Sequence, residues 1–221
     1  MIDYARHETV FHPVRWGDNR VDVIGVGATG SKVALSLAKL GVQNLHVWDD
    51  DKVEAHNLAN QVYGVADIGT QKTLAMSEHI SQATGLDVTR HGRWTPRHAR
   101  SIGKVVFVMV DSMAARKEIY DAFRANVNIG LIVDPRLGAR HGHVLTYKPG
   151  DRPSLDRYAS QLYSDEDAIT EASACGTAIT VGPTADIISG FCVWAFIRHA
   201  AGVAPESEIA VQAEHPALIE I

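Results

Sequence analysis

The feature that most constrains the fold is an apolar strand pattern that runs into a glycine turn and then into a helical pattern. Residues 20–27, RVDVIGVG, form an apolar run ending in glycines, which predicts a buried strand followed by a tight turn. Residues 28–41, ATGSKVALSLAKLG, place apolar residues at helical spacing, and Gly41 is a helix stop signal. Strand, glycine turn and helix in this order are typical of the first unit of an α/β fold.

Apolar strand patterns alternate with helical patterns along most of the remaining chain. Further strands are predicted at 42–49, 86–94, 104–111 and 129–134, with helices at 69–85, 113–126 and 183–201. An alternating segment at 141–148 predicts an edge or antiparallel strand, and 149–176 is polar and predicts mostly loop or short helices. The pattern indicates the α/β class, a doubly wound, Rossmann-like, mostly parallel sheet with an antiparallel extension after the fifth strand. Without a repeat or linker, we expect one domain over 1–221.

Composition excludes several classes of protein. The formal net charge of −5 argues against a chain that coats nucleic acid or anionic membrane, and 46% apolar residues are enough for a buried core. Two cysteines without a C-x-x-C pair indicate a reducing compartment and no structural zinc. The amino terminus has no signal-peptide pattern, and the apolar stretch at 185–202 is shorter than the roughly 20 residues of a membrane span. We therefore expect a cytoplasmic protein.

A glycine motif follows the first predicted strand. Its first glycine permits a tight turn, its second lets backbone approach a phosphate, and its third lets the helix pack on the strand. The amino terminus of the helix then offers N–H groups to an anion. The motif predicts nucleotide binding, with a packing turn that holds no ligand as the alternative. Its residues are Gly25, Val26, Gly27, Ala28, Thr29 and Gly30.

Three acidic residues follow the second predicted strand. Asp49 ends that strand, where an acid normally accepts hydrogen bonds from ribose hydroxyls and disfavours a 2′-phosphate. A solvated turn is the alternative interpretation; it suits Asp50 best and leaves the role of Asp51 open.

Polar residues farther along favour ATP over NAD. Asn57, Gln61 and Lys72 have no evident use in a dehydrogenase. Asp111 follows an apolar strand, at the edge where open α/β sheets bind ligands, and an acid near a triphosphate suits Mg²⁺. Lys72 is a cation that can neutralise charge on the phosphates.

Several motifs in order resemble the ThiF/MoeB/HesA family, which is related to ubiquitin-activating enzymes. The family shows a glycine loop, D-x-D-x-V, N-L-x-R-Q, D-x-G-x-x-K, and then an acid and an arginine after the fourth strand. The matching residues here are Asp49, Asp51, Val53, Asn57, Leu58, Gln61, Asp67, Gly69, Lys72, Asp111 and Arg116. The glycine loop and the H-N-x-x-N-Q motif also resemble those of short ThiF-like proteins in phage genomes.

The resemblance implies an adenylyltransferase that uses ATP and Mg²⁺. In that family the terminal carboxylate of a partner, usually a ubiquitin-like protein with a Gly-Gly tail, attacks the α-phosphorus and yields an acyl adenylate and pyrophosphate. By resemblance, Asp49 holds ribose, Asn57 and Lys72 hold the phosphates, and Asp111 binds the metal. The family also implies a homodimer.

The chain departs from the family pattern in three ways. Asn60 stands where N-L-x-R-Q has its arginine, although it falls within the predicted nucleotide site. Arg116, Arg136 or an amino-terminal arginine such as Arg6 are the candidates to replace that cation. The paired C-x-x-C zinc ligands of many relatives are absent, and we expect none of the additional domains that longer relatives carry.

Cys175 aligns, by its spacing from the last helix, with a cysteine that is a candidate acyl acceptor in some relatives. An acceptor thiol must be exposed and have a lowered pKa, and a small buried residue is the equal alternative. We expect Cys192, inside the last helix, to be buried and inert.

The segment after the fifth strand carries further polar residues. Asp134 and Arg136 are candidates for the acceptor end of the site. His141 and His143 form an H-x-H pair, but with no third ligand indicated we expect an edge strand rather than a metal site.

Two alternatives to adenylation use the same nucleotide loop. One is an oxidoreductase that binds NAD. The other is a nucleotide-binding interaction module that has lost its chemistry, which Asn60 in place of an arginine motivates.

Overall fold

The computed structural model describes residues 2–167 and 180–214, together with the backbone of a strand at 217–220. The helices are α1 (Pro13–Trp16), α2 (Ala28–Leu40), α3 (Lys72–Thr84), α4 (Met113–Phe123), α5 (Arg152–Ser160) and α6 (Gly182–Ala200). The strands are β1 (Val21–Ile24), β2 (Leu45–Trp48), β3 (Thr89–His91), β4 (Val105–Val108), β5 (Leu131–Leu137), β6 (His141–Tyr147), β7 (Glu208–Gln212) and β8 (Ala217–Glu220). Short 3₁₀ turns occupy Ala55–Ala59, Val65–Asp67, Pro96–Ser101 and Asp165–Asp167.

The strands form one sheet in the order β3-β2-β1-β4-β5-β6-β7-β8. The first five are parallel, and β6, β7 and β8 continue the sheet in antiparallel pairs. The predicted α/β class, with a mostly parallel, doubly wound sheet and an antiparallel extension, is therefore confirmed.

Four elements were missing from the sequence prediction or only partly anticipated, among them the single-turn helix α1. Strands β7 and β8 were not predicted, since β7 is only partly buried and its pairing with β6 joins distant parts of the chain. Helix α5 lies in the segment predicted as mostly loop or short helices. It begins after Asp151, whose carboxylate accepts from Ser154 N, and Pro153 stands in its first turn.

Helices cover both faces of the sheet. On one face α2, α3 and α6 bury side chains such as Leu37, Ile80 and Phe196. On the other face α4 contributes Ile119 and Phe123 to a second cluster. The central strands β1 and β4 are buried at every position, which explains why their sequences read as continuous apolar runs.

Glycines are required where β1 passes into α2. Gly25 has a φ of 93°, and a Cβ there would lie 2.5 Å from the carbonyl oxygen of Met109. A Cβ on Gly30 would collide with the carbonyl group of Gly25. These two glycines therefore bring β1, β4 and the start of α2 into the close contact that shapes the edge of the sheet.

Helix α6 is the most apolar segment, and Cys192 in its middle is fully buried, as predicted. Within the described ranges no helix has the length and apolar character needed to cross a membrane.

Candidate active site

A cavity of about 320 Å³ opens at the carboxyl ends of β1, β2 and β4. This is the edge at which open α/β sheets bind their ligands, because loops after neighbouring parallel strands converge there. Four separate sequence motifs contribute to its wall. The predicted site residues that line it are Gly25, Gly27, Asp49, Asp51, Lys72 and Asp111.

The glycine turn forms one side of the cavity. Gly25 N donates to Trp48 O at 2.8 Å, and Gly27 is the N-cap residue of α2. Because Gly27 has no side chain, the first N–H groups of α2 receive no side-chain cap. Such a helix start favours an anion. Ala28, Thr29 and Gly30 form that first turn and are not among the lining residues.

Asp49 is held rigidly at the end of β2. Its Oδ2 accepts from Val26 N and its Oδ1 accepts from Asp51 N, both at 2.9 Å. Burial raises the pKa of the Asp49 carboxyl, while these backbone hydrogen bonds act in the opposite direction. The carboxylate therefore connects the glycine turn to the acidic loop and still has lone pairs for a ligand.

Lys72 reaches the same loop from the start of α3. Its Nζ lies 2.8 Å from Asp51 Oδ2, and its backbone N donates to Asp51 O at 2.9 Å. The Lys72 side chain is only 10% exposed, whereas that of Asp51 is 68% exposed. Backbone pairing of 51–53 with 69–72 thus brings the D-x-D-x-V and D-x-G-x-x-K motifs together.

Asp111 lies between β4 and α4, exposed at the cavity wall. The start of α4 beside it is doubly capped. Ser112 Oγ accepts from Ala115 N at 3.2 Å, and the Asp165 carboxylate accepts from the backbone N–H groups of Met113 and Ala114. This anchoring fixes the loop that presents Asp111.

The cavity is acidic. Among the described residues, five carboxylates line it against the two cations Lys72 and Arg93, an excess of three negative charges. An anionic triphosphate is repelled by such a wall unless a divalent cation accompanies it. Oxygen donors of this kind suit Mg²⁺, so the residues present fit the metal that the sequence predicts. The carboxylates belong to Asp49, Asp50, Asp51, Asp111 and Glu118.

Asn57, Asn60 and Gln61 are not among the residues that line the cavity. Asn57 is buried, and its Oδ1 accepts from Glu54 N at 2.9 Å within the turn. Asn60 Nδ2 donates to Thr180 O at 3.2 Å, which ties this segment to the start of α6. Gln61 Oε1 and Asn60 Oδ1 are buried and have no hydrogen-bond partner within the described ranges. Contact of Asn57, Asn60 and Gln61 with a nucleotide stays a prediction.

Several residues of the cavity wall were not predicted from the sequence. Arg93 and Trp94 follow β3, and Trp48 ends β2. The rule that ligands bind beyond the carboxyl ends of parallel strands applies to β3 as well, so position alone could have indicated Arg93 and Trp94. For Glu118, in the second turn of α4, no comparable feature of the sequence indicated a place in the cavity wall.

The three arginines considered as replacements at Asn60 do not line the cavity. Arg116 is buried, and its Nε donates to Asp134 Oδ1 at 2.8 Å. Burial opposes the charged guanidinium, but Asp134 outweighs it and raises the pKa of Arg116. Arg136 packs beside the same carboxylate, and Arg6 is exposed in the amino-terminal segment.

The remaining candidates have different outcomes. Cys175 lies outside the described residues, so its role as an acyl acceptor stays a prediction. His143 Nδ1 lies 2.8 Å from Glu208 Oε1 on the neighbouring strand, and His141 also lies on β6. The only grouping of three or more metal-ligating side chains within the described ranges is Asp49, Asp50 and Asp51.

The fold and the cavity are typical of α/β proteins that bind nucleotides at the edge of a doubly wound sheet. The chain belongs to the ThiF family, whose family model matches residues 13–215.

Relatives of known description agree with this membership. The sulfur carrier protein ThiS adenylyltransferase of Escherichia coli strain K12 is 33% identical over 128 residues, which are 55% of this chain and 50% of that protein. The chain spans half or less of the length of the curated relatives it matches.

Solved structures share the fold. A crystal structure of E. coli MccB with AMPCPP and MccA has a TM-score of 0.72 at 14% identity, covering 95% of this chain and 65% of that one. A crystal structure of PaaA has a TM-score of 0.70 at 18% identity, covering 95% of this chain and 74% of that one.

Proposed function

We propose that the protein is an ATP-dependent adenylyltransferase that activates a terminal carboxylate as an acyl adenylate and releases pyrophosphate. The observation that carries the proposal is the cavity at the edge of the sheet, where the glycine turn, Asp49, Lys72 and Asp111 meet. They come from four motifs spread over the first half of the chain. Membership of the ThiF family adds support.

The reaction needs little covalent chemistry from the protein. A carboxylate oxygen of the acceptor forms a bond to the α-phosphorus of ATP. The bond from that phosphorus to the bridging oxygen breaks, and pyrophosphate leaves with the electron pair. Because the nucleophile is already anionic, no base is required, and catalysis rests on positioning and on charge neutralisation.

The lining residues have distinct roles in this proposal. Asp49 accepts hydrogen bonds from the ribose hydroxyls, since its orientation is fixed by Val26 and Asp51. Gly27 and the uncapped start of α2 face the phosphates. Lys72 neutralises charge that develops toward the leaving pyrophosphate.

Asp111 would hold Mg²⁺, and the carboxylates after β2 line the same cavity. When bound, the metal supplies charge neutralisation for the phosphate oxygens. Asp111 suits this role because it is exposed at the wall and the capped start of α4 fixes its loop.

For the acceptor, we propose a ubiquitin-like protein or a peptide with a Gly-Gly-type carboxyl terminus. The E. coli relative is named for the sulfur carrier protein ThiS, which supports a carrier protein as the acceptor, and MccB was crystallised with MccA. A later thioester at Cys175 would fit such a reaction.

The discriminating experiment compares ligands by thermal unfolding and then measures pyrophosphate. We expect Mg·ATP, but not NAD⁺, to raise the melting temperature. We also expect pyrophosphate release with peptides ending in Gly-Gly and none with their amides. Lys72→Ala and Asp111→Ala should abolish the release. Stabilisation by NAD⁺ alone would exclude adenylation in favour of an oxidoreductase.

A nucleotide-binding module without turnover is the second candidate, because Asn60 hydrogen-bonds Thr180 where relatives keep a cation. It predicts stabilisation by Mg·ATP without pyrophosphate release for any acceptor. Under that outcome, Asn60→Arg is the variant that should restore release.

We further propose that the protein acts in the cytoplasm as a homodimer. Ile187 and Trp194 lie one heptad apart on α6 and are 39% and 53% exposed, an apolar stripe suited to contact with a second copy. Light scattering should give twice the monomer mass, and Trp194→Glu should lower it. A monomeric wild type at high concentration would contradict the dimer.

A further inference from the structure

A buried charged cluster lies next to the cavity, on the far side of the start of α4. Asp134 on β5 is fully buried and accepts from Arg116 Nε and from Tyr158 Oη, each at 2.8 Å. Arg136, two residues farther along β5, donates from Nη1 to Gln161 O at 2.6 Å. The cluster thus contains two guanidinium groups and one carboxylate.

The carboxylate oxygens at this cluster are already engaged. Asp134 accepts a hydrogen bond with each of its two oxygens. The nearby Asp165 carboxylate is occupied by the N–H groups at the start of α4. Guanidinium groups stay protonated in proteins, and a buried guanidinium donor without an acceptor is costly unless an anion joins the cluster.

The unused hydrogen-bonding atoms belong to Arg136. Its Nε and Nη2 are buried and find no acceptor among the residues that the structure describes. Asp134 Oδ2 is 3.5 Å from Nε, too far for a hydrogen bond. Nε and Nη2 point the same way from one edge of a guanidinium, and this pair of parallel donors matches the two oxygens of a carboxylate.

Two tyrosines fix the plane of this guanidinium. The Arg136 Cζ lies 5.8 Å from the ring centre of Tyr158 and 5.7 Å from that of Tyr163. Tyr158 is 3% exposed and Tyr163 is 41% exposed, so Tyr163 forms the outer wall. A ligand can reach Arg136 from the solvent side by displacing one ring.

The sheet register places Arg136 beside the cavity. Phe107 on β4 lies opposite Val133 on β5. Three residues farther along each strand, Arg136 on β5 corresponds to Val110 after β4. Val110 and the following Asp111 line the cavity. The glycine turn follows β1, and β5 lies two strands from β1 in the sheet order. Arg136 therefore lies on the strand that is on the opposite side of β4 from the glycine turn.

We propose that Arg136 binds the terminal carboxylate of the acceptor and guides it to the α-phosphate. The assignment rests on the proposed adenylation, which requires a carboxylate next to the α-phosphate. A carboxylate fills the unused pair of donors, and its negative charge pairs with the guanidinium. The acceptor class is thus an unmodified carboxyl terminus, and an amidated terminus is rejected.

Thermal unfolding with a minimal acceptor tests this assignment. The probes are N-acetylglycylglycine and its amide, added to protein saturated with Mg²⁺ and the ATP analogue AMPCPP. The variants are Arg136→Met, Arg136→Lys and the control Arg140→Met, whose arginine forms an exposed pair with Glu214.

We expect the free acid, and not the amide, to raise the melting temperature of the wild type and of Arg140→Met. Arg136→Met should lose that shift but keep the shift produced by AMPCPP. Arg136→Lys retains the charge without the pair of donors, so it should also lose most of the increase in melting temperature that the free acid produces. It replaces Arg136→Met as the test variant if Arg136→Met does not fold.

The outcomes separate the two proposals. Suppose that AMPCPP stabilises the wild type, but that N-acetylglycylglycine either does not raise the melting temperature or still raises it in both Arg136 variants. The carboxylate assignment is then wrong, and the proposed adenylation stands. The assignment is also overturned if added pyrophosphate raises the melting temperature in a way that depends on Arg136 while N-acetylglycylglycine has no effect. If AMPCPP itself has no effect on the wild type, the proposed function fails first.

Discussion

Lys72 Nζ and Asp51 Oδ2 form an ion pair of 2.8 Å at the wall of the cavity, and a backbone hydrogen bond joins the same two residues. The pair holds the ammonium group at the cavity while its stem is buried in the first turn of α3. The lysine is thereby preorganised, and a triphosphate can replace part of its contact with Asp51 without moving the backbone.

Lys72→Met should weaken the binding of Mg·AMPCPP by roughly 10- to 100-fold, because a hydrogen bond to a charged group contributes about 1.5–3 kcal/mol. Isothermal titration calorimetry measures the change. Lys52→Met is the matched control, since Lys52 is an exposed neighbour that does not line the cavity. Equal affinities of Lys72→Met and the wild type would show that the ammonium does not contact the nucleotide.

Asp111→Asn should remove most of the effect of Mg²⁺ on nucleotide affinity. The acidic wall repels a bare triphosphate, so the wild type should bind AMPCPP much more tightly with Mg²⁺ than with a chelator. In the variant the two affinities should approach each other. Asp121→Asn, an exposed residue of α4, is the control. A variant that keeps the full magnesium effect would place the metal elsewhere.

The parallel sheet and several residues of the cavity wall could be predicted from the sequence. Apolar runs indicate the buried strands, and Asp49 and Asp111 follow two of them. The pairing of Lys72 with Asp51 was out of reach, because it depends on the loop between them folding back. The same holds for the cluster around Asp134. Arg116 was one of three candidates to replace the cation missing at Asn60, yet the register of β5 places a buried carboxylate against it.

Gly27 and Gly30 separate the ligand role of the glycine turn from its packing role. A Cβ on Gly27 has no neighbour within 4 Å, so Gly27→Ala should fold with little loss of stability. Its methyl group would stand between backbone and phosphate and should weaken Mg·AMPCPP binding by about tenfold. Gly30→Ala instead meets the Gly25 carbonyl group and should cost about 1–3 kcal/mol or more in unfolding free energy.

Urea unfolding and calorimetry on the two glycine variants distinguish these effects. If Gly27→Ala binds the nucleotide as tightly as the wild type, phosphate does not approach this turn. If Gly30→Ala is as stable as the wild type, the close contact of β1 with α2 tolerates a methyl group and the packing argument is wrong.

A histidine pair at the edge of the sheet makes stability depend on pH. His46 Nδ1 lies 2.9 Å from His91 Nε2, and His46 Nε2 lies 3.0 Å from Asn44 Oδ1. Burial, followed by the charge of Arg20, lowers the pKa of His46 to about 4; Asp22 acts in the opposite direction. Protonation of Nδ1 would set two donors against each other.

Since the unfolded chain binds a proton near pH 6.5 and the folded chain near pH 4, the unfolded state holds more protons between these values. The unfolding free energy should therefore fall as the pH drops from about 6.5 to about 4, by roughly 1–2 kcal/mol after allowance for solvent screening of the partly exposed ring. Urea unfolding across this range should show a smaller slope for His46→Gln, while His56→Gln, with a 71% exposed side chain, should follow the wild type. Equal slopes for the wild type and His46→Gln would mean that His46 keeps its ordinary pKa and that other groups set the acid sensitivity.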